Sequence, residues 1–265
     1  MTKKQGAAAP EEAESTRHSL SAAYLAMLPM FVAYELAVRE LGGERRNSAE
    51  VLLGLWLSPL GPWVDGIRGG LLGAFAFVAL YRCRKQAIRV REFAARIWLE
   101  GLVAALTLGP ALVGLTSLAA SWTDHLDVTW DSSRAQPGLA LAGFVFGGAV
   151  YEELVFRIGL HGLLFWTFVR AARMCGAGDR VGRWSGETLA LLGSSLCFAA
   201  FHFSRFTHWL WDGGAQFSSA QFAWLFCAGL LLGVVYRWRG PGVAALAHGL
   251  FNLALLVGID PEVLA

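Results

Sequence analysis

Long apolar runs, separated by short polar or charged stretches, extend from residue 20 to residue 259. A helix needs roughly 20 mostly apolar residues to cross a hydrocarbon core of ~30 Å. Runs of about that size, bounded by charges or turn signals, lie near residues 20–39, 65–81, 97–120, 138–160, 188–209, 218–236 and 241–259. The pattern therefore predicts an all-α fold, a polytopic transmembrane bundle of about seven or eight spans.

Whether seven or eight spans are predicted depends on the stretch 138–173, which is too long for one straight span and too short for two ordinary ones. Gly159 and Gly162 lie inside it and can mark a break, which would add a short or re-entrant element. The predicted organisation is a solvated tail at 1–19, N-terminal spans of unassigned role at 20–137, a C-terminal core at 138–259 and a short tail at 260–265.

Basic residues alternate between the predicted loops and indicate the orientation of the spans. The loop near residues 82–96 is strongly basic, whereas the stretch 121–137 offers Arg134 against Asp124, Asp127 and Asp131. Loops rich in Lys and Arg favour the cytoplasmic side. We therefore expect the first loop inside, the second outside, and a cytoplasmic N-terminus. Residues 1–19 lack the apolar stretch of a signal peptide and indicate a solvated tail.

The composition supports a membrane protein. Of 265 residues, 55% are hydrophobic and 16% are charged, and the mean hydropathy is +0.48. The lipid bilayer is the expected surrounding. A net charge of +2 is too small to suggest a nucleic-acid partner. The four cysteines are scattered without a CxxC pair, which indicates neither a disulfide framework nor a thiolate metal site.

Ionisable groups inside the predicted spans are candidates for function, because charge within a bilayer costs several kcal/mol by most estimates. Glu153 and Arg157 are four residues apart and share a helical face, so they can pair. Glu152 is turned about 100° away. His202 lies in another span, and His248 and Asn252 share one face of the last.

A carboxylate, two imidazoles and a carboxamide can activate a water and stabilise an oxyanion. Taken singly, each residue also has a structural interpretation. Glu153 with Arg157 is typical of a salt bridge that fixes helix packing, and a lone His or Asn often makes an interhelical hydrogen bond. Their joint occurrence favours a functional site.

Three patterns occur in order along the chain: EELVFR from Glu152 to Arg157, FAAFH from Phe198 to His202, and HGLFN from His248 to Asn252. They fit EExxxR, FxxxH and HxxxN, and together they resemble the CPBP family, also called Abi. That family contains CAAX-type prenyl endopeptidases and bacteriocin-processing or immunity-related membrane proteins. The resemblance covers about residues 138–259, whereas the first three spans match nothing specific. It implies an intramembrane endopeptidase with a catalytic core at 138–259.

The resemblance also implies a role for each matched residue. Glu152 is the general base that activates water, with His202 assisting. His248 and Asn252 stabilise the oxyanion, and Glu153 and Arg157 orient the site. A zinc enzyme would use Glu152, His202 and His248 as ligands. The absence of HExxH, and a carboxamide beside the second histidine, favour a mechanism without a metal cofactor.

The expected substrate is a membrane-anchored or leader-bearing peptide or protein. One alternative is a non-catalytic immunity or partner-binding protein on the same scaffold. Another is a proton-coupled transporter, because buried Glu and His also relay protons. The Ala-, Gly- and Arg-rich composition hints at a bacterium, for which the predicted location is the inner membrane.

Overall fold

The computed structural model describes residues 19–43, 46–120, 138–210 and 214–258. Its N-terminal part forms α1 (Leu20–Glu40), α2 (Ser48–Gly54), a 3₁₀ segment (Ser58–Trp63), α3 (Val64–Lys85) and α4 (Val90–Ala120). Its C-terminal part forms α5 (Leu139–Glu153), a π-helical segment (Leu154–His161), α6 (Gly162–Met174), α7 (Asp179–Ala200), α8 (Ser204–Thr207), α9 (Ser219–Arg239) and α10 (Pro241–Gly258). The predicted all-α bundle is confirmed.

Within the described ranges, five helical stretches are long and apolar enough to cross a membrane: Leu20–Glu40, Ser58–Lys85, Val90–Leu112, Leu139–Met174 and Ser219–Arg239. A shorter apolar helix covers Pro241–Leu256. The run predicted at 188–209 belongs to α7, which begins nine residues earlier, at Asp179. The first half of α7 carries Arg183 and Glu187, and α7 is not among the five stretches.

Helix α5 lies at the centre of the bundle. Helix α1 packs along one side of it and α10 along another, while α4 packs on α10, and α7 packs on α6 and α9. The last seven residues of α5, from Gly147 to Glu153, are all buried. Two carboxylates are therefore carried into the protein interior at the end of this helix.

Gly147 allows the close crossing of α1 and α5. A Cβ atom placed at Gly147 would lie 2.4 Å from the carbonyl oxygen of Met30 and 2.5 Å from Cβ of Tyr34. Neither neighbour can yield easily, because one is backbone and the other is the first side-chain atom of a buried tyrosine. Small residues permit such close helix packing in membranes.

We expect Gly147→Ala to destabilise the protein by about 1–3 kcal/mol, because the added methyl group forces α1 away from α5. Thermal unfolding of the purified protein in detergent measures this loss. Gly66→Ala is the matched control, because a Cβ atom at Gly66 in α3 meets nothing within 4 Å. Equal melting temperatures for the two variants would contradict the tight crossing.

The stretch after α5 does not break at Gly159 or Gly162 as the sequence suggested. The helical path runs on from Leu139 to Met174, and Leu154–His161 adopts the wider π conformation within it. A π turn holds an extra residue and shifts the face of the residues that follow. Arg157 and His161 are both buried in this segment.

His202 lies outside the helix in which the sequence placed it. Helix α7 ends at Ala200, and the chain turns before α8 begins at Ser204. The turn is held by pairing with a later segment: the amide of Ala215 donates to the carbonyl of His202 at 2.9 Å, and the amide of Ser204 donates to the carbonyl of Ala215 at 3.0 Å.

Candidate active site

Glu152 lies at the point where three parts of the protein meet. Its side chain is mostly buried, at 11% exposure. Oε1 accepts a hydrogen bond of 2.6 Å from Nδ2 of Asn47. Oε2 lies 3.6 Å from Nε2 of His248 and 4.0 Å from Nε2 of His202. The two oxygens are thus distinct, since one is held by an amide and the other faces two imidazoles.

His202 is oriented by a backbone carbonyl of the preceding helix. Its Nδ1 lies 2.8 Å from the carbonyl oxygen of Phe198, one helical turn earlier. A carbonyl oxygen only accepts, so Nδ1 must carry the hydrogen. In the neutral ring, Nε2 therefore presents a lone pair toward Glu152. The side chain is one-third exposed, which makes His202 the most accessible of the three groups.

His248 is oriented by the second carboxylate. Its Nδ1 lies 3.0 Å from Oε1 of Glu153, and the ring is buried, at 5% side-chain exposure. An ionised carboxylate accepts from Nδ1–H, which leaves the lone pair of the neutral ring on Nε2, facing Glu152.

Three hydrogen-bond acceptors thus face one another: Oε2 of Glu152 and Nε2 of His202 and of His248. Separations of 3.6 and 4.0 Å are too long for direct hydrogen bonds. Oε2 of Glu152 is buried and has no hydrogen-bond partner among the described residues. Groups this far apart are suited to hold a molecule with hydrogens between them, such as water.

The predicted pairing of Glu153 with Arg157 is confirmed. Nε of Arg157 lies 3.5 Å from Oε2 of Glu153, and the arginine side chain is fully buried. Arg157 also donates from an η nitrogen to the carbonyl of Gly229 in α9 at 3.0 Å. Its guanidinium carbon lies 5.0 Å from the centre of the Phe198 ring. Glu153 is thereby held between a guanidinium and an imidazole.

Asn252 follows His248 by one turn on α10 and is half-buried. In the part of the chain that the structure describes, it makes no hydrogen bond or ion pair with the other predicted site residues. The structure therefore brings together five of the six predicted residues, Glu152, Glu153, Arg157, His202 and His248, by direct approaches of 4.0 Å or less.

Asn47 is a site residue that the sequence did not suggest. It lies before the N-terminus of α2 and is 105 residues from Glu152 in the chain. Its fit depends on Gly148, since a Cβ atom there would lie 3.1 Å from Nδ2 of Asn47. The one sequence signal was local: Asn47 and Glu50 have the spacing of a helix-capping box. It predicts the start of a helix and says nothing of Glu152.

Two imidazoles and a carboxylate are also a donor set suited to zinc. Within the residues described, no group of three or more His, Cys, Asp or Glu side chains has the arrangement of a metal site. The outer hydrogen bonds of both rings resemble those that orient metal-bound histidines. In a zinc enzyme, Glu152, His202 and His248 would be the ligands, and the ion would supply Lewis-acid activation of water.

Comparison with protein families matches residues 134–254 to the family described as Rce1-like, type II CAAX prenyl endopeptidase Rce1-like. Comparisons with curated proteins and with solved structures give no match. The matched range includes the three patterns that carry the CPBP resemblance and every predicted site residue. The sequence-based recognition is thus confirmed: the chain carries, at residues 134–254, a domain of the Rce1-like family of type II CAAX prenyl endopeptidases.

Proposed function

We propose that the protein is an intramembrane endopeptidase that hydrolyses a peptide bond of a membrane-associated protein or peptide, with Glu152 as general base. The Rce1-like domain supports a CAAX protease-like enzyme. The observation that carries the proposal is the convergence of His202 and His248 on the free oxygen of Glu152, at 4.0 and 3.6 Å. Such a group of acceptors suits a nucleophilic water.

In the proposed reaction, the water sits against Oε2 of Glu152 and Nε2 of His202. Glu152 removes one proton from it, and the oxygen attacks the carbonyl carbon of the scissile bond. A tetrahedral oxyanion forms. Glu152 then gives the proton to the departing amide nitrogen, and the carbon–nitrogen bond breaks. The products are a new carboxyl terminus and a new amino terminus, and Glu152 is again a carboxylate. Proton transfer of this kind accelerates reactions by about 10²–10⁴-fold.

His248 stabilises the oxyanion when its ring carries two protons. The 3.0 Å contact between its Nδ1 and Glu153 supports this role, because a buried carboxylate offsets the charge of the imidazolium. Nε2–H then donates toward the reacting centre. Asn252, one turn away, supplies a second donor once the substrate carbonyl lies between them. Arg157 keeps Glu153 in place.

We propose a reaction without a metal cofactor, and we expect His202→Ala and His248→Ala each to lower the rate of cleavage by at least about 10²-fold. A strong chelator should leave the wild-type rate unchanged. The measurement is cleavage of a library of membrane-anchored reporter peptides by the purified protein in detergent. His208→Ala is the matched control, because its ring is exposed and, among the residues that the structure describes, hydrogen-bonds to the nearby carbonyl of Arg205.

Chelator inhibition that is reversed by zinc would overturn the metal-free mechanism and assign Glu152, His202 and His248 as ligands. Equal cleavage by wild type and both histidine variants would overturn the site. Retention of a peptide by all variants without cleavage would favour the non-catalytic alternative, an immunity or partner-binding protein.

The apolar helices and the family match fit an integral membrane protein. We further propose a cytoplasmic N-terminus and, for a bacterial source, the inner membrane. The substrate is then a membrane-anchored or leader-bearing peptide or protein. Nucleic acid has no part in the proposal.

A further inference from the structure

We propose that Asn47 is a positioning residue of the active site, which fixes Glu152 so that its free oxygen faces the two histidines. This inference rests on the proposed function. It lies outside the family match, since Asn47 precedes residue 134, where the matched range begins. The N-terminal spans, to which the sequence assigned no role, would then complete the site.

The carboxamide of Asn47 makes two different bonds at once. Oδ1 accepts from the backbone amide of Ala49 at 2.9 Å, which caps α2. Nδ2 donates to Oε1 of Glu152 at 2.6 Å. The orientation of the amide is therefore determined, because its oxygen already serves a donor and its nitrogen faces an acceptor. The capping bond from Ala49 thus fixes the Nδ2 group that donates to Glu152.

The backbone of Asn47 is anchored as firmly as its side chain. Its amide donates to the hydroxyl oxygen of Tyr34 at 2.7 Å, and that hydroxyl donates to Oε2 of Glu50 at 2.6 Å. Tyr34 is fully buried and Glu50 nearly so. Glu50 in turn pairs with Arg46 and Arg68. A chain of buried and half-buried hydrogen bonds thus runs from α3 to the catalytic carboxylate.

The hydrogen bond from Asn47 holds one oxygen of the Glu152 carboxylate and leaves the other free for the reaction. With Oε1 held by Asn47, rotation of the carboxylate would break a short, charge-assisted hydrogen bond. Oε2 is then the oxygen left for water. Misplacement of a reacting group by ~1 Å can cost about 10²-fold in rate. A hydrogen bond that fixes the rotamer of Glu152 therefore supports the rate of cleavage.

Two substitutions separate this role from helix capping. Asp and Ser are N-caps about as good as Asn, so Asn47→Asp and Asn47→Ser keep an acceptor for Ala49. Neither keeps the amide N–H that reaches Glu152, since the Asp carboxylate is an acceptor and the Ser hydroxyl lies one bond closer to the backbone. We expect both to lower kcat by about 10²-fold with KM unchanged. Asn47→Ser should unfold near the wild-type temperature, whereas Asn47→Asp places a second carboxylate beside Glu152 and should unfold at a lower one.

Ser19→Ala is the matched control. It removes the cap of α1, in which the Ser19 side chain accepts from the amide of Ala22. Ser19 precedes Tyr34 by 15 residues, about 22 Å along the helix, so this variant should leave kcat unchanged.

The infrared band of the Glu152 carboxylate provides a readout that does not depend on cleavage. The band is identified as the one lost in Glu152→Gln. We expect Asn47→Ser to shift it, because one oxygen loses its hydrogen bond. Wild-type kcat in both Asn47 variants, or an unshifted band, would overturn the positioning role. A wild-type protein that cleaves nothing would instead defeat the proposed function, while the infrared band would still decide whether Asn47 holds Glu152.

Discussion

Glu152→Gln should lower the rate of peptide cleavage by about 10²–10⁴-fold while the protein remains folded, because a carboxamide cannot take a proton from water. The substitution changes few contacts. Oε1 of the glutamine still accepts from Asn47, as Oε1 of Glu152 does at 2.6 Å. The new amide group faces Nε2 of His202 and of His248, which present lone pairs in their neutral rings. The hydrogen bonds of residue 152 in the folded structure are therefore kept, and only the general base is lost.

The comparison requires a carboxylate of the same type away from the site. Glu92 is exposed and pairs with Arg89 at 3.0 Å, so Glu92→Gln should retain the wild-type rate. Cleavage rates and thermal unfolding are measured for both variants in the same detergent. Full activity of Glu152→Gln would remove the general base from the account, whereas unfolding of that variant would show that Glu152 supports the fold.

Arg157→Met should destabilise the protein by about 3–5 kcal/mol, the usual cost of leaving one member of a buried ion pair without its partner. Arg157 is fully buried and faces Glu153 at 3.5 Å. Its removal also frees the carbonyl of Gly229 in α9. Glu153 would then be a buried carboxylate supported by His248 alone. Unfolding by heat or denaturant in detergent measures the loss.

The double variant Glu153→Gln with Arg157→Met should recover much of that stability, because no unpaired charge stays buried. Its glutamine oxygen can still accept from Nδ1 of His248. It should nevertheless cleave poorly, since the carboxylate that contacts His248 is gone. Arg89→Met, at an exposed ion pair, should cost less than about 1 kcal/mol. If Arg157→Met alone were as stable as Arg89→Met, that result would contradict a structural role for Arg157.

Local features of the site were predictable from the sequence. Glu153 and Arg157 pair because residues four apart share a helical face, and this holds although Arg157 lies in a π segment. The long apolar runs predicted the main helices, because the length needed to cross a bilayer is fixed. Three ordered patterns indicated the family, which the match at residues 134–254 confirms.

Features set by contacts between distant segments were not predictable. The end of α7 at Ala200 places His202 in a turn, and that turn is held by Ala215. The bond from Asn47 to Glu152 joins residues 105 positions apart. A helical period describes neighbours on one helix, so it carries no information on either contact. The need for glycine at Gly147 likewise comes from Met30 on another helix.

Hydrolysis in water enriched in heavy oxygen tests the central claim most directly. Purified wild type and Glu152→Gln are each incubated with the membrane-anchored peptide library, and the masses of the product fragments are measured by mass spectrometry. The account predicts that wild type yields fragments with one heavy oxygen atom in each new carboxyl terminus, and that Glu152→Gln yields almost none. Labelled fragments at equal rates from both proteins, or no fragments from wild type, would contradict Glu152 as the base of an intramembrane endopeptidase.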